Sequence, residues 1–311
     1  QAAMVAGTAA GVQTMLNYSR EFEHEADRIG IQTLEKAGFD VRGMAAFFER
    51  MQKFGRLYEN NAPGYLRTHP LTTERISDME NRILNAHYRQ VADSVEFQLV
   101  RAKLRAARGT PQDAVADFEF QLRERKYLSE GAARYGLAGA QLRAKNFAAA
   151  ERQVAELRSM KLVSPMVDTL AADLRRMQGD PAGALKIYRE ARSRYVRNKA
   201  LLYGQIDAQL ADGQAQEALK TATAELQLSP SDPILHGLQA RSYAALGKRL
   251  QQHRAQAELY ALQGHLVAAV QQLELAQKSG DGDFFEHSQV DARLRELKIR
   301  QQEEAKQKLP L

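Results

Sequence analysis

Four carboxylates alternate along one short segment near the start of the chain, at Glu21, Glu23, Glu25 and Asp27. Glu23 and Asp27 are four residues apart, so a helix would place both on one face. Like charges at this spacing repel by about 0.2–0.5 kcal/mol, and a nearby cation would reverse that cost. A carboxylate combined with imidazoles is a common zinc shell. The alternative stays open that these acids simply favour the N-terminal end of a helix dipole, with Arg20 and Arg28 as ion-pair partners.

Helices must position these carboxylates. Apolar residues return every three or four positions over 19–37, which predicts a helix that ends at Gly38. The stripe that we expect this helix to bury consists of Phe22, Ala26, Ile29 and Thr33. A second helix is predicted over 42–56, and a third from Thr73 to about Ala92.

Two further residues could take part in chemistry. One is a histidine in the loop between the second and third helices, and the other is an arginine that follows this loop. Pro70 disfavours an α conformation at His69, so His69 should lie extended on the loop, where its ring could face a cleft. Arg75 follows six residues later. An exposed loop histidine and a surface ion pair are the alternatives for these two residues.

Both segments resemble the M48 family of zinc metallopeptidases. The stretch SREFEHEAD, residues 19–27, matches the second signature of that family, and residues 68–70, Thr-His-Pro, match a later element. The resemblance implies that Glu23 is a zinc ligand and that Asp27 orients a ligand. It also implies that His69 lies near the metal, as a fourth ligand or as a donor to the oxyanion. Arg75 would support His69 or hold substrate backbone.

One part of the family pattern is missing. None of the seven histidines forms the His-Glu-x-x-His motif that supplies two zinc ligands and the general base. We expect an N-terminal truncation rather than degeneration of the motif, since the match begins only seventeen residues from a terminus that lacks Met. On this interpretation the fragment itself is inactive.

The rest of the chain repeats itself. A Gly turn followed five positions later by Ala recurs, and Ala150, Ala184 and Ala218 follow one another at intervals of 34 residues. This resembles the tetratricopeptide repeat, a pair of antiparallel helices. We therefore predict an all-α protein: the C-terminal part of an M48 domain over 1–92, about five repeats over 93–297, and a charged tail over 298–311.

The composition argues against some classes of function. The net charge of +6 comes from interspersed charges without a basic block, which argues against nucleic-acid binding. There is no cysteine, and no apolar run reaches the roughly 18–20 residues that cross a bilayer. The small apolar residues 1–16 leave a peripheral membrane contact open.

The resemblance also implies a setting. Members of the family with such repeats are periplasmic, associate with the outer membrane, and act in outer-membrane protein quality control. Their concave repeat face would bind protein clients or assembly components. The alternative is a non-catalytic adaptor or chaperone built on the repeats.

Overall fold

A computed structural model describes residues 21–56, 73–84, 86–89 and 91–307. Its described elements are all helices, and the chain divides into two compact units, residues 1–93 and 94–311. His69 lies outside the described residues, so its predicted place near the metal stays a prediction. Among the described helices, none is long and apolar enough to cross a membrane.

The first unit contains three described helices: α1 over 21–36, α2 over Arg42–Arg56 and α3 over Thr73–Ile83. Gly38 ends α1 with a φ of 82°, a left-handed conformation that glycine adopts without steric cost. The apolar core between these helices consists of Phe48, Ile76 and Met79, with Ile31 and Met44 packed against it.

Two sequence expectations for this unit are wrong. The stripe expected to be buried on α1 is exposed, with Phe22 at 68% and Ile29 at 49%. The third helix ends at Ile83 rather than near Ala92. The residues after it return toward α2, where the Arg42 guanidinium lies 4.4 Å from the centre of the Tyr88 ring. This contact between distant residues overrides the local helical pattern.

The second unit is built from helical hairpins. Its helices are α4 Val95–Ala106, α5 Pro111–Arg123, α6 Glu130–Arg143, α7 Phe147–Ser159, α8 Pro165–Met177, α9 Pro181–Arg194, α10 Lys199–Ala211, α11 Ala215–Leu228, α12 Pro233–Ala245, α13 Arg249–Leu262, α14 Leu266–Gln277 and α15 Phe284–Gln307. Helices α4 to α13 form five hairpins. Residues 298–307, which belong to the predicted charged tail, continue α15.

The repeated small residues explain the hairpins. Gly109, Gly179 and Gly213 all have φ between 60° and 85°, which the tight turn between paired helices requires. Lys145 occupies the same slot in the second hairpin with a φ of 60°. The recurrent alanines are buried, and the larger Phe118 fills the space toward the next hairpin with 2% of its surface exposed.

The first helix of each hairpin forms the inner layer of the array. From α4 to α10, each first helix contacts the first helix of the following hairpin as well as its own partner. Closer approach on that side makes it the concave face. The sixth and last pair, α14 and α15, closes the array by burying Val290 and Leu297 against α13 and α14.

A buried aspartate joins the fourth and fifth hairpins. The Asp232 carboxylate caps α12 by accepting hydrogen bonds from the backbone N–H groups of Ile234 and Leu235, at 3.1 and 3.2 Å. It also accepts from Lys199 Nζ at 2.7 Å and from the Tyr203 hydroxyl at 2.6 Å. Burial opposes ionisation of this carboxyl, but those hydrogen bonds outweigh it and lower the pKa of Asp232.

Candidate metal-ligand site

The inward face of α1 carries two carboxylates. Asp27 has 3% of its whole surface exposed. Glu23 lies one turn earlier and has 14% of its side-chain surface exposed. The other two acids of the alternating run, Glu21 and Glu25, are exposed. Glu25 pairs with Arg28 on its own helix, and that guanidinium lowers the pKa of Glu25. Only Glu23 and Asp27 are therefore placed for chemistry in the interior of the unit.

Arg75 on α3 holds both inward carboxylates. Its Nε and Nη2 donate to the two oxygens of Asp27, each at 2.7 Å, in the bidentate arrangement that matches a guanidinium to a carboxylate. Its Nη1 lies 2.8 Å from Glu23 Oε2. The Arg75 guanidinium carbon is also 5.4 Å from the centre of the Phe48 ring, at the edge of the apolar core.

One guanidinium, that of Arg75, serves both carboxylates, and its side chain is 9% exposed. Charged groups in such a partly desolvated place are stable only when they are paired. On the solvent side of the cluster, His24 Nδ1 lies 3.7 Å from Asp78, which also pairs with Arg82 at 2.7 Å. That second group is half-exposed, and such pairs stabilise a protein little.

The structure thus brings together three of the four residues that the sequence motifs single out. Glu23, Asp27 and Arg75 meet although up to 52 positions of chain separate them. Arg75 is buried and engages both carboxylates rather than forming a surface ion pair; its predicted roles, support of His69 or contact with substrate backbone, stay predictions. Sequence reasoning had no signal for this triad, because the partners of Arg75 depend on how α3 packs on α1.

The donor set is incomplete for zinc. A zinc site needs at least three protein ligands. Within the parts of the chain that the structure describes, no group of three or more His, Cys, Asp or Glu side chains could hold a metal ion. The described residues therefore do not form a zinc site by themselves, and the ligand role of Glu23 stays a prediction.

Comparison with known proteins identifies the class. Residues 1–83 match the model of peptidase family M48. The M48 resemblance recognised from the two motifs is confirmed, and the fold is an M48 peptidase segment followed by a tetratricopeptide-type solenoid.

Individual relatives align with nearly the whole chain. It is 30% identical over 302 residues to the beta-barrel assembly-enhancing protease of Escherichia coli K12, and 28% identical over 296 residues to that of Yersinia pestis. These alignments cover 96% and 94% of the chain, but only 62% and 61% of the relatives. A solved tetratricopeptide protein from Parabacteroides merdae aligns with 81% of the chain and 98% of its own, at 12% identity and a TM-score of 0.43.

The concave layer of the array contains a cavity that sequence reasoning missed. It has a volume of about 200 Å³ and is lined by three successive first helices, α4, α6 and α8. Tyr135 and Leu170 lie on its wall, with Lys103 and Asp173 among the charged residues around it. Burial, followed by the nearby Asp173 carboxylate, raises the pKa of Tyr135 to about 12. Gly139 leaves part of the space open, since it has no side chain.

Proposed function

We propose that this chain is part of a zinc-dependent metalloendopeptidase to which residues 1–83 contribute the carboxylate ligand Glu23. The observation that supports this most directly is the clamp of Arg75 on Glu23 and Asp27. It joins two motifs of the M48 resemblance into one buried cluster. An isolated surface helix would have no reason to bury two like charges one turn apart.

Within this proposal Asp27 and Arg75 are positioning residues. Asp27 fixes the guanidinium by two hydrogen bonds, and the guanidinium in turn fixes one oxygen of Glu23. Groups that orient a metal ligand lower the entropy that ligation costs. When bound, zinc would supply the electrophile that activates water for attack on a peptide bond. His69 would lie near that metal.

The chain by itself should be inactive as a peptidase. Its histidines supply no His-Glu-x-x-His motif, so the imidazole ligands and the general base must come from elsewhere. The proposal for the array is that its concave face binds protein clients or assembly machinery. The cavity around Tyr135 is a place for one client side chain.

The cellular location and the cellular role are proposed from the names of the relatives. Proteins named beta-barrel assembly-enhancing protease support a role in outer-membrane protein quality control, in the periplasm and in association with the outer membrane. A non-catalytic adaptor or chaperone is the second candidate, because the array makes up most of the chain and is a compact unit of its own.

The test compares this chain with the chain extended by whatever coding sequence precedes Gln1. We expect the extended protein to bind one zinc ion and to cleave unfolded polypeptide, and the 311-residue chain to do neither. Glu23→Gln should remove most of the bound zinc and the activity, as measured by metal analysis and a peptide-cleavage assay.

A matched control is Glu21→Gln, which removes an exposed acid from the same helix and should leave both properties unchanged. Zinc content that does not depend on Glu23 would end the ligand assignment. Extended sequence without a metal-binding histidine pair would leave only the adaptor.

A further inference from the structure

The two edges of the hairpin array differ in composition. Because helices alternate in direction, the tight turns within hairpins lie along one edge, and the junctions between hairpins lie along the other. The turns at 107–110, 144–146 and 178–180 contain only small or polar residues. The junctions carry large apolar residues, and these are the features that the proposed peptidase function does not explain.

One aliphatic side chain at each of the first three junctions is highly exposed. Leu128, between α5 and α6, is 82% exposed; Val163, between α7 and α8, is 69% exposed; and Val196, between α9 and α10, is 74% exposed. They recur at the repeat spacing, so they form a row along one edge. Single exposed apolar residues are ordinary, but a periodic row of them marks an interaction surface.

Basic residues accompany each member of the row. Arg125, Lys161 and Arg197 lie within three residues of the exposed aliphatics, and the helices before the junctions end with further arginines, namely Arg123, Arg158, Arg192 and Arg194. Within the described chain, Arg125, Lys161 and Arg197 make no ion pair. Three of the arginines at the helix ends do: Arg123 pairs with Glu124, Arg192 with Glu225 and Arg194 with Asp168, each at 3.0 Å. We name the three exposed aliphatics and these seven basic residues the basic junction edge.

Open grooves lie beside two of the three exposed aliphatic side chains. A groove of about 370 Å³ is lined by Arg105, Arg125 and Lys126 beside Leu128. A second groove, of about 590 Å³, is lined by Arg158, Lys161 and Lys186 beside Val163 and also contains two acids, Asp168 and Glu190. Exposed apolar side chains with basic residues in the grooves beside them match a surface of acyl chains and phosphates, where the charges meet headgroups and the apolar side chains enter the interface.

The fourth junction provides a natural contrast. Leu228 is 80% exposed there, but helix α11 has no basic residue in its last turn. Glu225 and the buried Asp232 flank it instead. The basic character therefore stops after the third junction, although the exposed aliphatic side chain persists.

We propose that the basic junction edge docks the array on the surface of an anionic phospholipid bilayer. This names the surface that would make the outer-membrane association proposed above, and it does not depend on the peptidase activity. An acidic protein partner would explain the charges. However, it would be expected to cover the aliphatic side chains in an apolar groove, and here they stand at the tips of successive loops. Docking would place the hairpin junctions at the membrane and leave the concave face available to clients.

The test is co-sedimentation of the full 311-residue chain with vesicles. Phosphatidylcholine vesicles that also contain phosphatidylglycerol should bind the chain, phosphatidylcholine alone should bind it much less, and high salt should release it. Replacing Leu128, Val163 and Val196 together by serine should weaken binding by roughly fivefold or more. Because all three side chains are largely exposed, this variant should fold normally.

Glycine at the basic positions separates charge from structure. Arg125 and Lys161 have φ of 52° and 53°, a conformation that glycine adopts without steric cost. Arg125→Gly with Lys161→Gly should leave the chain at least as stable, yet weaken vesicle binding by about fivefold for each charge. The matched control is Leu228→Ser, which should change vesicle binding by less than about twofold, because no basic residue accompanies it.

Three results would overturn the proposal. Equal binding to both kinds of vesicle would remove the charge requirement, and equal loss in Leu228→Ser and in the triple serine variant would remove the surface assignment. Failure of the vesicles that contain phosphatidylglycerol to bind the chain would exclude the membrane as the occupant and leave an acidic protein partner for the same edge.

Discussion

Replacement of Arg75 by methionine tests the clamp at the centre of the candidate site. The change keeps the length and apolar stem of the side chain and removes a guanidinium that lies within 3 Å of both Glu23 and Asp27. Each pair contributes roughly 4 kcal/mol of gross attraction at an effective dielectric constant of about 20. Desolvation offsets most of this. Removing one partner of a buried pair costs about 3–5 kcal/mol, because the remaining charges stay buried.

The loss should be local, so the assay must resolve the first unit from the array. Hydrogen exchange followed by mass spectrometry reports the opening free energy of α1 and α3 separately. A loss of 3 kcal/mol corresponds to roughly a hundredfold faster exchange in both helices. Exchange in the array, from α6 to α14, should not change.

A control on the same helix decides whether burial matters. Arg82 pairs with Asp78 at 2.7 Å, as Arg75 does with Asp27, but its side chain is 38% exposed. Arg82→Met should cost less than about 1 kcal/mol. Equal effects of the two substitutions would refute the argument from burial. Adding Glu23→Gln and Asp27→Asn to Arg75→Met should restore most of the stability, since no buried charge then lacks a partner.

Further predictions concern the array, with urea unfolding followed by circular dichroism as the measurement. Gly136→Ala would place a Cβ 2.2 Å from a ring and should cost about 1–3 kcal/mol, whereas Gly139→Ala meets its nearest atom at 3.9 Å and should be neutral or stabilising. A variant Gly136→Ala as stable as Gly139→Ala would contradict this packing. Asp232→Asn should lower stability at neutral pH by about 1–3 kcal/mol. Because the folded pKa of Asp232 is lowered, its contribution is present above about pH 4 and lost as pH falls further, so the variant should lose less stability on acidification. Leu297→Ala should lower the free energy of unfolding by about 2–5 kcal/mol and Ile299→Ala by less than about 0.5 kcal/mol, because Leu297 is buried and Ile299 is exposed. Equally small effects of both substitutions would mean that the end of α15 is detached from the array.

Periodicity predicted the array because each hairpin satisfies its own requirements locally. A glycine or another left-handed residue turns the chain, two small residues let the paired helices approach, and a larger one fills the gap to the next hairpin. Phe118, Tyr188 and Leu273 occupy that last slot, each with 2% or less of its surface exposed. The same rules hold in every repeat, so a pattern along the chain was enough.

The first unit depends on contacts between distant residues, and there the sequence was less informative. Its motifs identified Glu23, Asp27 and Arg75 as residues of interest, but the apolar spacing on α1 predicted the wrong buried face. A stripe of Phe22, Ala26, Ile29 and Thr33 is the more apolar one, yet the structure turns Asp27 inward. The guanidinium of Arg75 on α3 makes that orientation favourable. A local sequence pattern cannot predict a partner that lies 48 residues away.

The sequence by itself thus determined the helical class, the repeat length and the residues that could take part in chemistry, because these depend on residue type and short-range spacing. Only the tertiary structure decided which face of α1 is buried, that one arginine holds two carboxylates, and that exposed aliphatic and basic residues align along one edge of the array. Those properties arise when separate helices pack, since burial and charge pairing are set by neighbours in space rather than by neighbours in the chain.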